Sequence, residues 1–471
     1  MLSILCKANF VMKKIYLAHN TCLNSSYDLN VLQAGLIQKG NEIVSSPEDA
    51  DEIIYSGCSV RSRWVDDAIN QINEAANRSP NAKIHVTGCL ANTSAAIVRT
   101  NTTSSNIHFE TIPEILNQYT NLDFSKVDQS FTQDSSVKFE HNNVHGLQNL
   151  RQRVGEDKAS IVASLQEIDR LYGKNTEHYY RSITKGFVFY EEQKSSEMIT
   201  VTRSCPYKCA FCSIPQGRGS FESVPLFSIV EKARKAVERG KFHIILIGDE
   251  IGNYHAPDCK ANFKKLVESL LLLSPKVKLS IRYIEPKPFL KFFNSLLKWS
   301  KEGRIQLLYI SIQSGSERIL KIMNRGYDLS RLSNALKELR ESSPVVLYGN
   351  WLIGFPGEND DDFLQTVSLV KDLEFQINVV IPFSARENTP AFDMPNQLDE
   401  RTINDRVNLL TEIVANMKAL NMEGLLNFLD KGNLTLLVDR IRNAECLQYI
   451  DDQQESEPSR TSSLSIEVKQ L

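Results

Sequence analysis

Short apolar runs alternate with amphipathic stretches in the first part of the chain. Regular alternation of strands and helices is typical of a parallel sheet with helices on both faces. Glycine often follows the last turn of a helix, and Gly40 follows the first helical stretch. We therefore predict a doubly wound α/β domain over residues 13–121. Strands are expected at 14–18, 52–55, 83–87 and 107–111, and helices at 27–39 and 64–76.

The same alternation returns in residues 186–415, where polar residues follow each strand-like run. Repeated βα units predict a partial or full TIM-like barrel, whose active site lies at the carboxyl ends of the strands. Between the two parts, residues 122–185 are rich in Ser, Gln, Asn and acidic residues, which indicates a polar connector. In the second part, strands are expected at 242–248, 276–283, 304–312, 344–351 and 377–382, and helices at 228–239, 317–325 and 361–373.

The composition is that of an ordinary globular protein, with 42% hydrophobic and 24% charged residues. A net charge of −3 provides no global basic field of the kind that marks many nucleic-acid-binding proteins. No run approaches the roughly 18 apolar residues of a membrane helix. Nine cysteines in 471 residues are too few for a disulfide scaffold and indicate a reducing compartment. We expect a cytoplasmic protein with no membrane segment, and Met12 as a more natural start than Met1.

Three closely spaced cysteines follow the apolar run at the start of the second part. Cys205, Cys209 and Cys212 form the pattern C-x3-C-x2-C. Iron–sulfur clusters take cysteine thiolates, usually four, so three of them leave one iron open to a distant ligand or a substrate. A zinc site or chance clustering is the alternative. Zinc needs a fourth Cys or His nearby, and His243 and Cys259 are poorly spaced for it, so the spacing favours a cluster.

Three further cysteines follow strands of the predicted N-terminal sheet. Cys22, Cys58 and Cys89 each come just after a strand-like run. In a parallel sheet the carboxyl ends of all strands lie at one edge, where open α/β sheets bind ligands. Taken singly, each cysteine could be a buried structural residue, because free cysteine is among the most buried residue types. Their repeated position favours a second cluster site with three cysteine ligands.

The C-x3-C-x2-C pattern resembles that of the radical S-adenosylmethionine (radical SAM) enzymes. The resemblance implies that the open iron of a [4Fe-4S] cluster chelates the amino and carboxylate groups of S-adenosylmethionine. Electron transfer from the cluster then cleaves the S–C5′ bond and yields a 5′-deoxyadenosyl radical. Phe211 matches the family's aromatic residue near the adenine; it could also be a core aromatic beneath the loop, and both roles can hold together.

The whole pattern is similar to the methylthiotransferases, radical SAM enzymes that insert sulfur at an unactivated C–H bond and methylate it. The resemblance implies two [4Fe-4S] clusters. Cys205, Cys209 and Cys212 would hold the one that cleaves S-adenosylmethionine, and Cys22, Cys58 and Cys89 an auxiliary one that carries the donated sulfur. Besides the cysteines, the matching motifs over residues 13–415 are Ile214-Pro215, Arg218-Gly219, Leu246-Ile-Gly-Asp249 with Tyr254, Gln313 to Arg325, Gly354-Phe-Pro-Gly-Glu358, and Phe383-Ser-Ala-Arg386 with Thr389-Pro-Ala391.

Binding of S-adenosylmethionine needs donors for a carboxylate, acceptors for an ammonium group, and close approach of the backbone. Arg325 could instead be a charge at a helix end, and the two acidic candidates could lie in a solvated loop. The candidates are Gln313, Ser314 and Arg325 as donors, Asp249 and Glu250 as acceptors, and Gly354 and Gly357 for the approach.

The resemblance implies a substrate that is either a tRNA adenosine beside the anticodon or a ribosomal-protein aspartate, and an electron donor such as flavodoxin or ferredoxin. We expect tRNA as the first choice. The family's C-terminal β-domain is shortened here to residues 416–471, a tail that could be a truncated or degenerate form of it. A protein or peptide substrate, or electron transfer by the auxiliary cluster in another radical reaction, is the alternative.

Overall fold

The computed structural model describes residues 12–20, 22–59, 62–122, 127 and 196–428. Five parallel strands form its first sheet, in the order β2-β1-β3-β4-β5. This confirms the doubly wound parallel sheet. The strands are β1 Lys14–His19, β2 Glu42–Val44, β3 Glu52–Gly57, β4 Lys83–Gly88 and β5 Ile107–Phe109, and the helices are α1 Leu23–Gln38, α2 Ser62–Arg78, α3 Cys89–Thr93, α4 Ala95–Asn101 and α5 Ile112–Thr120.

Alternation along β3 explains why helices cover both faces of this sheet. Ile53 and Tyr55 pack with apolar residues of α2, whereas Ile54 packs with α1 and α5 on the opposite face. Every residue of β3 is buried, as expected for a central parallel strand. The arrangement leaves the carboxyl edge of the sheet as the place where functional groups can gather.

Six parallel strands form the second sheet, in the linear order β13-β12-β11-β10-β9-β6. The strands are β6 Ser196–Thr200, β9 His243–Ile247, β10 Lys278–Ile284, β11 Ile305–Gln313, β12 Val346–Ile353 and β13 Ile377–Pro382, with a small antiparallel pair of β7 Thr202–Arg203 and β8 Glu222–Ser223. The helices are α6 Ile214–Arg218, α7 Leu226–Glu238, α8 Phe263–Leu271, α9 Pro286–Lys291, α10 Phe293–Lys301, α11 Glu317–Ile322, α12 Leu329–Ser342, α13 Asp360–Leu373 and α14 Glu400–Phe428.

The linear strand order makes the second sheet an open, partial barrel within the described part of the chain. The sequence predicts a partial or full barrel, and the second sheet has the partial form. Its largest apolar core lies between the strands and the helices. A smaller core lines the other face, where the rings of Tyr309 and Tyr348 stack 3.8 Å apart. Each helix in the described ranges is too short or too polar to cross a membrane.

The structure adds helices that the apolar pattern did not indicate, including α8, α12 and the long α14. The predicted connector, 122–185, lies almost wholly outside the described residues. Of the predicted tail, only 416–428 is described, as the continuation of α14. The division into domains stays a prediction.

A buried polar network stabilises the amino-terminal edge of the first sheet. Glu52 accepts hydrogen bonds from Lys13 and Tyr119, and lies 2.8 Å from Nε2 of His85, whose other ring nitrogen faces Glu110. Burial favours a higher pKa for Glu52. The hydrogen bonds from His85, Lys13 and Tyr119 outweigh burial and hold the pKa at about 2, below its ordinary value near 4.5.

We expect Glu52→Gln to lower the thermal unfolding midpoint at pH 7. A pKa depressed in the folded state stabilises the protein above pH 4.5, on the order of 3 kcal/mol here, and this stabilisation disappears as the pH falls towards 2. Midpoints of both proteins, measured by circular dichroism from pH 7 to pH 2.5, should therefore converge at the acid end. Glu74→Gln, at a side chain 70% exposed, serves as control. A difference that is constant with pH would contradict the prediction.

Candidate active site between the two sheets

The loop that carries Cys205, Cys209 and Cys212 begins directly after β7. Ser204 takes a left-handed conformation, with φ of 64°, at the point where the chain leaves the strand. Residues after α11 hold the loop: the Ala210 N–H donates to the Met323 carbonyl at 2.9 Å, and Asn324 Nδ2 donates to the Lys208 carbonyl at 2.7 Å. The loop is therefore fixed against the body of the second sheet.

Arg325 connects this loop to the neighbouring strands. Its Nη1 lies 3.5 Å from Sγ of Cys209 and donates to Glu285 at 2.7 Å, while Nη2 donates to the carbonyl of Ser311. The side chain is 2% exposed. Its backbone N–H donates to the Leu320 carbonyl at 2.8 Å, so Arg325 also lies at the C-terminal end of α11, as the alternative stated. Its predicted contact with S-adenosylmethionine stays a prediction.

Burial opposes ionisation of the thiols in this loop. It raises the pKa of Cys212 to about 12 and also raises the pKa of Cys209, where Arg325 acts in the opposite direction. Without a metal these groups are neutral thiols at pH 7. Iron must displace their protons on binding, which makes assembly of a cluster dependent on pH.

The cysteines of the N-terminal sheet lie where three adjacent strands end. Cys22 caps the start of α1 after β1, Cys58 follows β3, and Cys89 begins α3 after β4. Cys58 and Cys89 are buried and Cys22 is exposed. Burial raises the pKa of Cys89, and the nearby thiols of Cys58 and Cys22 act in the same direction. The three thiols are therefore electrostatic neighbours at one edge of the sheet.

The two cysteine sets approach each other through α6, which directly follows the Cys205–Cys212 loop. A Cβ placed on Gly217 would lie 2.9 Å from Cα and 3.2 Å from Sγ of Cys89, so the backbone of α6 rests on this cysteine. Asn92 Nδ2 in α3 donates to the carbonyl of Gln216 at 2.9 Å. Glycine at 217 permits this approach.

Substitution Gly217→Ala should therefore disturb the N-terminal cysteine set selectively. We expect the variant to lose more than half of the iron bound at that set, because the added methyl group must displace Cys89 or α6. Iron analysis and Mössbauer spectra after anaerobic reconstitution provide the measurement. Gly326→Ala is the matched control, since its Cβ would meet only the flexible end of Lys287 at 3.5 Å. Equal iron content in both variants would refute the prediction.

A buried charge network joins the sheets next to these cysteines. Arg218 contacts Asp28 of α1 at 3.0 Å and forms an ion pair with Asp249 at 2.8 Å. Asp28 also accepts from Arg203 Nε at 3.0 Å, and Asn24 donates to Asp249 at 3.1 Å. The side chains of Arg218, Asp28 and Asp249 are 5% exposed or less. The network fastens α1 to the end of β9.

Both acidic candidates are buried, so the alternative of a solvated loop is wrong. Asp249 is part of the network and accepts from the Ser204 N–H at 2.8 Å, next to the cysteine loop. Glu250 accepts N–H groups of Gly252, Asn253 and Glu285 at 2.7 to 3.1 Å. Burial raises the pKa of Glu250 to about 7. Their role towards the ammonium group stays a prediction.

Gln313 and Ser314 lie at the end of β11. Gln313 has a φ of 79° and is buried. The Ser314 hydroxyl lies 3.3 Å from Oγ1 of Thr366 in α13, and Thr366 also accepts from the Gly315 N–H at 2.9 Å. These contacts hold the loop after β11 against α13. Binding of the S-adenosylmethionine carboxylate by Gln313 and Ser314 stays a prediction.

The remaining candidates have clear packing roles. Phe211 packs edge-on against Phe355, with ring centroids 6.5 Å apart, which agrees with its interpretation as a core aromatic and leaves its face towards adenine a prediction. Gly354 has a φ of 86°, and a Cβ there would lie 2.5 Å from Ile403 of α14. Gly357 has a φ of 80°, with no atom within 4 Å of an added Cβ.

Sequence reasoning assigned no role to Asp28, Asn24, Arg218 or Arg386. Asn24 and Asp28 lie four residues apart on α1, just after Cys22, and this spacing places them on one face of the helix. The four-residue spacing of Asn24 and Asp28 could therefore have indicated from the sequence that both side chains lie on the same face of α1. The arginines belong to motifs noted in the sequence, but their partners lie far away along the chain.

Both cysteine sets suit iron–sulfur clusters. Their six cysteines form no disulfide, Arg325 places an N–H at the Cys209 sulfur, and Gly217 leaves space at the Cys89 sulfur. In the described ranges, no three His, Cys, Asp or Glu side chains are grouped tightly enough for a single metal ion. A [4Fe-4S] cluster differs from a site for a single metal ion, because each cysteine binds a different iron of the cluster.

Comparison with known proteins agrees with this geometry. Residues 199–370 match the radical SAM superfamily, and residues 14–109 match the uncharacterized protein family UPF0004. The two matches together cover both cysteine sets, and the curated relatives described next extend across both regions. Over both regions this chain is similar to the radical SAM methylthiotransferases.

Two relatives illustrate the similarity, and both are named tRNA-2-methylthio-N(6)-dimethylallyladenosine synthase. The protein of Idiomarina loihiensis is 25% identical over 414 residues, which cover 85% of this chain and 76% of the relative. That of Methylacidiphilum infernorum is 26% identical over 413 residues, covering 85% and 80%. The radical SAM match supports a [4Fe-4S] cluster and the use of S-adenosylmethionine.

A solved structure supports the fold. The radical S-adenosylmethionine methyltransferase TsrM of Kitasatospora setae, with cobalamin and a [4Fe-4S] cluster bound, aligns with a TM-score of 0.50 and 13% identity. The alignment covers 81% of this chain and 74% of TsrM. At this identity the likeness concerns the architecture, a parallel N-terminal sheet followed by a radical SAM sheet.

Proposed function

We propose that this methylthiotransferase inserts sulfur at a C–H bond of a tRNA adenosine and transfers a methylthio group to it. The observation that carries the proposal is the contact of α6 with Cys89, since it joins a radical SAM loop to a second set of three cysteines. The names of the relatives support tRNA as the substrate. Such a substrate, together with six cysteines that form no disulfide, favours action in the cytoplasm, with flavodoxin or ferredoxin as electron donor.

We propose that each cysteine set holds one [4Fe-4S] cluster. Once bound, the clusters supply the electron that cleaves S-adenosylmethionine and the iron site that carries the donated sulfur. The protein's own part is positional. Arg325 donates to Cys209, Asp249 orders the backbone at Ser204, and Arg218 keeps α1 and its Cys22 against the second sheet.

The first test is iron content after anaerobic reconstitution. Two clusters predict about eight irons per chain, and replacement of Cys22, Cys58 and Cys89 by alanine should reduce this to about four. An unchanged iron count in that variant would refute the auxiliary cluster. The result is independent of the substrate.

The second test identifies the substrate. In a strain that lacks this protein, mass spectrometry of tRNA nucleosides should show loss of a methylthio-adenosine, and expression of the intact chain should restore it. The C22A/C58A/C89A variant, made from the same plasmid, should fail to restore it. If the methylthio-adenosine persists in the deletion strain, the proposal that tRNA adenosine is the substrate is wrong. Methylthio groups would then be sought on proteins and peptides.

A further inference from the structure

Residues 384–391 follow β13 and contact both regions that carry cysteines. The Ser384 hydroxyl lies 2.9 Å from that of Ser62 in α2, and Asn388 Nδ2 donates to the carbonyl of Asn92 in α3 at 3.0 Å. Further on, the Ala391 N–H donates to the carbonyl of Ala210 at 2.9 Å, inside the Cys205–Cys212 loop. This bridging segment, 384–391, therefore spans the space between the two cysteine sets.

Arg386 lies in the middle of the bridging segment. Its Nε donates to the carbonyl of Ser59 at 2.6 Å, one residue after Cys58. The guanidinium is close enough to thiols of both sets for their ionised forms to favour its charge, namely Cys58 and Cys89 of the N-terminal sheet and Cys212 of the second. Burial lowers the pKa of Arg386, and these thiols act against that shift. The side chain remains a cation.

The charges of the proposed clusters make the position of this cation important. A [4Fe-4S] core of charge +2 bound by three thiolates carries a net charge of −1, and one-electron reduction makes it −2. Two such groups near each other make each reduction harder, because the added electron enters a negative field of low dielectric. A cation between them offsets this repulsion for both clusters.

We propose that Arg386 is a positioning residue shared by both clusters, whose positive charge eases the one-electron reduction of each. The proposal rests on the two-cluster function proposed above. Arg386 differs in this from Arg325, which contacts Cys209 of one set only. A residue that merely packs the bridging segment would not affect both reduction potentials.

The test measures reduction potentials in two proteins that each keep one cluster. C22A/C58A/C89A retains the radical SAM cluster, and C205A/C209A/C212A retains the auxiliary one. Each is reconstituted with iron and sulfide, with and without Arg386→Gln, and titrated with dithionite in the presence of mediators. The reduced cluster is quantified by electron paramagnetic resonance. We expect Arg386→Gln to lower the ratio of reduced to oxidised cluster about tenfold in both proteins, a shift of about 59 mV for one electron.

Three further variants separate charge from position. Arg386→Lys keeps the charge and should recover at least half of the shift. Asn388→Ala removes a hydrogen bond of the bridging segment without changing charge, and should leave both potentials unchanged. Arg401→Gln removes a cation whose side chain is 90% exposed, and should also have no effect.

The outcomes distinguish this inference from the proposed function. If C205A/C209A/C212A binds no iron, the assignment of an auxiliary cluster to Cys22, Cys58 and Cys89 is wrong. The inference about Arg386 then fails with it. If both proteins bind about four irons and Arg386→Gln shifts neither potential, or only one, the two clusters stand and the shared role of Arg386 is wrong. A shift of equal size in Asn388→Ala would also refute it, because the effect would then come from the position of the segment.

Discussion

Replacing Cys205, Cys209 and Cys212 together with alanine is expected to abolish formation of 5′-deoxyadenosine and to remove about half of the bound iron. The loop is fixed on both sides, by Met323 and Asn324 and by the bridging segment, so the alanine variant should keep its backbone. What it loses are the thiols, which in the proposed function are the protein ligands of the cluster that binds S-adenosylmethionine. Chromatography of anaerobic reactions with dithionite and S-adenosylmethionine provides the measurement.

Two controls make this result specific. Cys259→Ala changes an exposed cysteine outside both sets and should leave the yield of 5′-deoxyadenosine unchanged. C22A/C58A/C89A should continue to form 5′-deoxyadenosine while losing the methylthio product, since the two sets have separate tasks in the proposed function. Formation of 5′-deoxyadenosine above the reagent blank by C205A/C209A/C212A would contradict the assignment of this loop.

The second large effect is expected from Arg218→Met. The change leaves Asp28 and Asp249 buried with less compensation, and removal of one member of a buried ion pair costs about 3–5 kcal/mol. We expect the thermal unfolding midpoint to fall by on the order of 10 °C. Iron content at the N-terminal cysteine set should fall too, because Cys22 is the N-cap residue of α1.

A double variant distinguishes loss of charge balance from loss of packing. In Arg218→Met combined with Asp249→Asn, an uncompensated carboxylate is also removed, so part of the lost stability should return. Arg401→Met is the matched control on the surface, where its ion partner Asp405 lies 3.9 Å away, and it should shift the midpoint by less than about 2 °C. If the two arginine substitutions have equal effects, the network does not hold the sheets together.

Much of the fold could be read from local patterns because parallel strands bury both faces and leave continuous apolar runs. β3, β4, β9 and β12 are such runs. Helices with mixed faces were harder to recognise. α12 combines a buried row of leucines with many charged residues, and α14 extends past the last strand into a region that seemed too polar for a core.

The six cysteines could be located from the sequence. Three of them each follow a strand of the first sheet, whose parallel strands end at one edge, and the other three share one closely spaced pattern. The side chains that surround these cysteines could not be predicted from the sequence. Arg218 and Asp28 are 190 positions apart, and Arg386 and Ser59 are 327 apart. Contacts of such separation depend on how the two sheets dock, which no local pattern encodes.

The sequence by itself determined the two parallel sheets, the six thiols at their edges and the resemblance to methylthiotransferases, because strand periodicity and cysteine spacing are local properties of the chain. Only the tertiary structure decided that α6 rests on Cys89, that Asp249 is paired with Arg218, and that Arg386 donates to the Ser59 carbonyl next to Cys58. The physical reason is that burial and charge pairing arise from the docking of distant segments, which sets the distances that electrostatics requires.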